Sequence, residues 1–305
     1  MAVGDLITAA RYNNAQGRVS AILGNGSTNE GYGQTVTSSQ VSSNIVINST
    51  HVNALFTDLN KIYIHQTGAV PNSIAEVEVG DTVAEDTSGA DIKEGFKDYE
   101  DFISIIETPA NRFRLTAAQS STTNNVAVIQ RRNQWTAPID CEFLVSFTSA
   151  DARRHFFNAG GSLTFISSLS GTPVSGDSVA KSQDWSAILS NAGTINLNYD
   201  ATTTTGTGVV QSIGNYDLTT SYQEIYRKAA TGVYGNNNYI LYARAPSSST
   251  IQVKYEFFDA AVSGYKIDEP VQGLLEAKIG FVRASGSYVD TPAPAFAAIN
   301  NLWHN

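Results

Sequence analysis

The chain has 305 residues, enough for one large domain or two ordinary ones. Charged residues make up only 15% against 42% hydrophobic, and Ser, Thr, Asn and 24 Gly fill the difference, a balance that suits turn-rich β structure and surfaces that meet other copies of themselves. A formal charge of −9 with no cationic cluster beyond the pairs Arg131-Arg132 and Arg153-Arg154 argues against nucleic acid, the single Cys141 excludes an intrachain disulfide and a cysteine-based metal site, and no apolar run reaches the length of a membrane span.

The first residues, Met1 to Asp5, lack the basic and apolar regions of a signal peptide, so the expectation is a protein made in the cytoplasm and soluble until it joins something. Thr8 reads as an N-cap for a helix over 9–23, with Tyr12, Ala15, Val19, Ile22 and Leu23 on one face and Gly24 as its stop. Asn25 to Gly33 is a loop by composition. Residues 35–47, rich in Thr, Ser and Val, suggest a short strand. A second helix starts at Ser49 or Thr50, presents Val52, Leu55, Phe56, Leu59 and Ile62, and closes by Gly68 and Pro71. Glu76 to Gly89 is acidic and reads as a solvated linker. A third helix is expected over about 90–106, where Ile92, Phe96, Tyr99, Phe102, Ile103 and Ile106 keep a three-four spacing.

After about residue 115 the helical period fades. Strands are read at 126–130, 141–147, 162–167, 194–199, 239–244 and 251–258, punctuated by Gly, Asn and Ser, with one helical interruption over 182–190 carrying Trp185. The fold class that follows is α+β. A helical assembly region over 1–115 precedes a mainly antiparallel, jelly-roll-like β-sandwich over 116–285 and an extended arm over 286–305. The arm is too short to own a core, so Phe296 and Trp303 are expected to dock on a neighbouring subunit. Together with Tyr12, Val19, Ile22, Val52, Leu55 and Leu59 of the first two helices they form the expected oligomer interface.

A search for chemistry finds little. His51, His65, His155 and His304 form no metal-binding spacing, and His65 falls at a fraying helix end. There is no Gly-x-Ser-x-Gly elbow, and the glycines at 24, 26, 31 and 33 follow a helix, not a strand, without the Gly-Lys-Ser/Thr of a phosphate cradle. Asp81, Glu85, Asp86, Asp91, Asp98, Glu100 and Asp101 lie apart from aromatic residues that would tune a pair of carboxylates. The segment 151–161 stands out, because Arg153 and Arg154 adjoin Phe156 and Phe157 before Asn158, Gly160 and Gly161. An active-site reading makes an arginine an anion clamp. The structural reading buries the phenylalanines and turns the chain in a tight hairpin, and it is favoured because no nucleophile or base accompanies the cations.

Gly4 to Val19, Gly31 to Gln34, Arg153 to Gly161, Trp185 to Ile195, Leu218 to Gln223 and Tyr239 to Arg244 together resemble, in order, stretches of tail and fibre-like structural proteins of tailed phages, especially those of cyanophages. The resemblance implies a virion component with no catalytic residues, cofactor or metal. Its implied partners are further copies, as a homotrimer, and other tail or baseplate proteins. A receptor-binding module for host glycan or protein, using loops 169–178, 200–215 and 232–238, is the second reading. A neck or collar protein and a polysaccharide depolymerase come after it. The chain lacks the short repeated β motif of a fibre shaft, so a compact adaptor or fibre domain is expected.

Overall fold

The computed structural model describes residues 7–78, 95–176, 178–260 and 269–300, and they divide into two compact units. One unit comprises 1–121 with 154–160 and 283–292; the other comprises 122–153, 161–282 and 293–305.

The first unit is built on helices α1 (Ala9–Leu23), α2 (Ser49–Thr67) and α3 (Phe96–Ile106), followed by the single turn α4 (Pro109–Arg112). The local signals are where the sequence places them. The Thr8 hydroxyl accepts the Arg11 N–H, Asn48 and His51 cap the start of α2 reciprocally, and Gly68 ends α2 in the left-handed region at φ 77°. The apolar faces meet in one core that holds Tyr12, Val19 and Ile22 of α1, Val52, Leu55 and Leu59 of α2, and Phe96, Tyr99, Phe102 and Ile103 of α3. Bidentate Arg11–Glu100 and Arg18–Glu107 pairs lie over that core, between α1 and α3. Buried Asp58 of α2 accepts the backbone N–H groups of Thr37 and Ser38 and pairs with Lys61 at 2.9 Å.

This arrangement corrects the expected interface. Tyr12, Val19, Ile22, Val52, Leu55 and Leu59 are at most 2% exposed in a single chain, so they are not available to a second subunit. Residues 35–47 form no strand, because side chains rather than a neighbouring strand take up their backbone groups: Asp58 binds at Thr37 and Ser38, and Asn13 at Val41. The third helix starts at Phe96. Ile92 and most of the acidic linker, with Asp81, Glu85, Asp86 and Asp91, lie outside the described residues.

The sandwich contains, in chain order, β1 (Ser120–Arg131), β2 (Ile139–Ser146), α5 (Ala150–Asn158), β3 (Ser162–Ser170), α6 (Val179–Ala192), β4 (Ile195–Leu197), β5 (Thr202–Thr204), β6 (Val209–Val210), β7 (Gln223–Ala229), β8 (Asn238–Ser247), β9 (Thr250–Phe258), β10 (Leu274–Ala284) and β11 (Ala295–Asn300). They make two antiparallel sheets, ordered β1-β10-β3-β4-β5 and β11-β2-β9-β8-β7-β6. Strict alternation buries Cys141, Phe143 and Val145 of β2 against Val253, Tyr255 and Phe257 of β9. Phe165 of β3 meets Tyr255 edge-on across the sandwich. Two hydroxyls stitch the sheets together: Tyr255 donates to the Lys278 carbonyl at 2.7 Å, and Ser167 to Tyr239 at 3.0 Å. No described helix is long and apolar enough to cross a membrane.

Two further expectations change. Residues 150–158 are a helix and not a hairpin approach. The Ser149 hydroxyl accepts the Ala152 N–H and starts α5, Asn158 ends it, Gly160 turns the chain at φ 79°, and Gly161 leads into β3. The C-terminal segment contributes β11, which pairs with β2 of its own chain, and Phe296 is half-buried and stacks on Phe281 at 5.7 Å. Trp303 lies outside the described residues.

Candidate functional site

The segment singled out in the sequence builds structure with Arg153, Arg154, His155 and Asn158. Buried Arg153 sends Nε to Asn215 Oδ1 at 2.8 Å and Nη2 to the Asn215 carbonyl at 3.1 Å. Its Nη1 donates to the carbonyls of Ser247 and Thr250, joining the two strands of the β8–β9 hairpin at its turn. Burial pulls the guanidinium down to about 10, which leaves it charged at neutral pH, with its fork already filled by neutral oxygens. An anion clamp needs donors directed outward, and these are directed inward.

Within the helical unit, Arg154, His155 and Asn158 all reach one loop. Arg154 binds the carbonyls of Glu30, Asn25 and Gly26, His155 Nε2 donates to the Asn25 carbonyl at 2.9 Å, and Asn158 Nδ2 donates to Gly31 O at 3.2 Å. The loop therefore turns its carbonyls to one guanidinium and two further donors, the opposite of a phosphate cradle, which presents N–H groups. Gly31 adopts φ 91°, and a Cβ there would lie 2.2 Å from the Asn25 carbonyl oxygen. Gly31→Ala is expected to lower the stability of this unit by about 2–4 kcal/mol, measured by urea titration. An unchanged midpoint would mean that the loop is not held in this form.

Phe156 and Phe157 are fully buried, as the structural reading expects. Trp185 is buried beside Trp135, ring centroids 6.3 Å apart, and its Nε1 donates to Asp259 at 3.3 Å. The histidines serve separate local tasks. His51 caps α2, His155 holds the loop, His65 is buried in α2 rather than frayed, and His304 lies outside the described residues. On α3, Asp98 caps the Gly95 N–H, Glu100 pairs with Arg11, and Asp101 pairs with Lys97. No three His, Cys, Asp or Glu side chains among the described residues are grouped to hold a metal ion.

The features with surface to offer lie elsewhere. The outer face of the six-stranded sheet carries a row in which Glu142 is opposite Lys254, and Lys254 is opposite Tyr242. The Lys254 ammonium lies 4.5 Å from the Tyr242 ring centre, and the Arg244 guanidinium lies 4.4 Å from that of Tyr222. These charges neutralise one another, so the row is a stabilising ladder rather than a field for a charged ligand. At the loops, Val174 and Val233 are 93% and 64% exposed. Both their loops border 269–273: Tyr234 donates to Glu269 at 2.9 Å, and Gly273 abuts the Ser170 carbonyl. The third expected loop, 200–215, is tied to its unit by Tyr226, which donates to Thr207 O, and by Asn215, which holds Arg153, and its residues 205–210 are exposed. At one sheet edge, β1 exposes Val126 and Val128. The sequence shows valines in all these places but not which ones the fold leaves uncovered.

No protein-family model matches the chain, and comparison with curated proteins and with solved structures gives no match.

Proposed function

We propose that this chain is a structural component of a tailed-phage virion, a tail-fibre or tail- and baseplate-associated appendage protein that works as an oligomer. The observation that carries the reading is the use made of the segment resembling phage tail proteins. Arg153, Arg154, His155 and Asn158 bind carbonyl and amide oxygens of the chain itself, so the residues behind the resemblance are those that build this fold. The Ser, Thr and Asn-rich surface and the exposed neutral strand β1 suit contacts between protein copies, because uncharged groups cost less to desolvate than ions. Mass spectrometry of purified particles, with gold-labelled antibody to the chain, tests the reading. Label at a fixed place on the tail at constant copy number is expected, and absence from infectious particles would overturn it.

The valines at the two loop tips support a second role within the first, contact with the host surface. Apolar side chains this exposed favour a partner, since each loses water on docking. Val174→Asp with Val233→Asp is expected to weaken binding of the purified protein to host cells by about tenfold or more, with an unchanged melting temperature. Equal binding by the double variant would remove this role.

A further inference from the structure

Two groups that can form an amide face each other inside the sandwich. The Lys181 ammonium of α6 lies 2.8 Å from Oδ2 of Asp259, the residue that follows β9, and both side chains are fully buried. Taking two charges out of solvent is costly, and the passage of one proton from ammonium to carboxylate cancels both at once. What remains is an amine beside a carboxylic acid, the two reactants of an amide condensation, already held in place.

The surroundings suit that step. Trp185 Nε1 donates to Asp259 Oδ1 at 3.3 Å, on the oxygen that gains charge when an amine adds to Cγ. The Trp185 ring packs against Trp135 and Phe257, at centroid distances of 6.3 and 6.2 Å, so the donor is held by apolar neighbours. Asp184 follows Lys181 at i,i+3 spacing on α6, which makes the two side chains neighbours on the helix. Its Oδ2 is buried with no hydrogen-bond partner among the described residues, and burial raises its carboxyl from the ordinary carboxylate value. A carboxyl group in that condition can take a proton from nitrogen and hand it to oxygen.

We propose that Lys181 and Asp259 condense to an intramolecular isopeptide bond, with Asp184 carrying the proton from nitrogen to the departing oxygen. After the first proton has passed to Oδ2, Nζ adds to Cγ and the carbonyl electron pair moves to Oδ1, under the Trp185 N–H. Asp184 takes one of the two protons left on nitrogen and delivers it to the Oδ2 hydroxyl. The pair on Oδ1 returns, the Cγ–Oδ2 bond breaks and water leaves. One N–C bond forms, one C–O bond breaks, and nothing is oxidised or reduced. The product closes a covalent loop that contains β4 to β9 and fixes α6 to the six-stranded sheet, a link that persists when the fold is lost. Folding yields the ion pair first and the bond forms afterwards, so the energetics of the pair itself belong to the newly folded chain. The bond stands or falls independently of the virion role.

Intact-mass spectrometry of the full chain, denatured after prolonged incubation at neutral pH, tests this. The wild type is expected to weigh one water less than its sequence, and proteolysis should release a branched peptide joining the Lys181 and Asp259 segments. Lys181→Arg keeps the cation but has no amine to condense, so it should retain its full mass. Loss of water in that variant as well would place the dehydration elsewhere in the chain and overturn the assignment. Asp184→Asn is expected to slow the loss of water by about tenfold or more, with an unchanged circular dichroism spectrum. Condensation of that variant at the wild-type rate would overturn the proton transfer through Asp184. A wild type that keeps its full mass and gives no branched peptide would overturn the bond itself.

Discussion

Lys181→Met is expected to destabilise the sandwich by about 3–5 kcal/mol, the largest effect of any single substitution considered for this chain. Lys181 of α6 places Nζ 2.8 Å from Asp259 Oδ2, and both side chains are fully buried. Asp259 also receives the indole N–H of Trp185, so the carboxylate ties α6 to the end of β9 twice. Removing the ammonium leaves a fully buried carboxylate without its countercharge, a larger loss than the ion pair was worth. Lys181→Met combined with Asp259→Asn should recover most of the deficit, because the amide oxygen still accepts from Trp185 and no charge is left behind. Trp135 and Trp185 lie in this unit, which makes urea unfolding followed by tryptophan fluorescence the suitable measurement. A single variant within about 1 kcal/mol of wild type would show that the pair is hydrated.

What was legible in the sequence was local, and what was not was the identity of the neighbour. Thr8, Gly24 and Gly68 mark the ends of α1 and the close of α2 because capping is settled within a few residues. The three-four spacing of Tyr12, Val19 and Ile22 identifies a buried face, yet the same spacing serves an intrachain core and a subunit interface equally well. Strand β10 was missed although Leu275, Ala277, Ile279 and Phe281 alternate without fault. Glu276, Lys278 and Gly280 on its other face hid the pattern, and only its place between β1 and β3 explains why the strand holds. The helix α5 was hidden for a similar reason: adjacent Phe156 and Phe157 are both buried, so no one-sided stripe announces it. Lys181 and Asp259 are remote in sequence and look like ordinary surface charges. The status of β1 as an edge is likewise a property of sheet order, which no residue within the strand encodes.

The helical unit should lose stability on mild acidification, and His65 is the reason. Its ring lies in the core of this unit, 1% exposed and edge-on to Tyr32 at 4.9 Å. Burial pushes the imidazole down to about 4, against a weaker opposite pull from the Ala159 backbone. In the unfolded chain a histidine titrates near 6.5. Between these values the unfolded state binds a proton that the folded state refuses. The stabilising contribution is therefore complete above about pH 6.5 and lost progressively as the pH falls toward 4, by about 3 kcal/mol in all. Asp58, in the same unit, responds lower. Burial alone would raise its carboxyl, but the N–H groups of Ser38 and Thr37, with Lys61, outweigh this and hold it below the usual range. Its contribution thus persists through the histidine window and is lost only as the pH falls through that lowered value. Thermal melts followed at 222 nm at pH 7.5, 5.5 and 4.5 test the histidine alone, because Asp58 does not respond in that range: His65→Leu should remove the loss. An equally steep decline between pH 6.5 and 4 in His65→Leu would assign the acid sensitivity to another group.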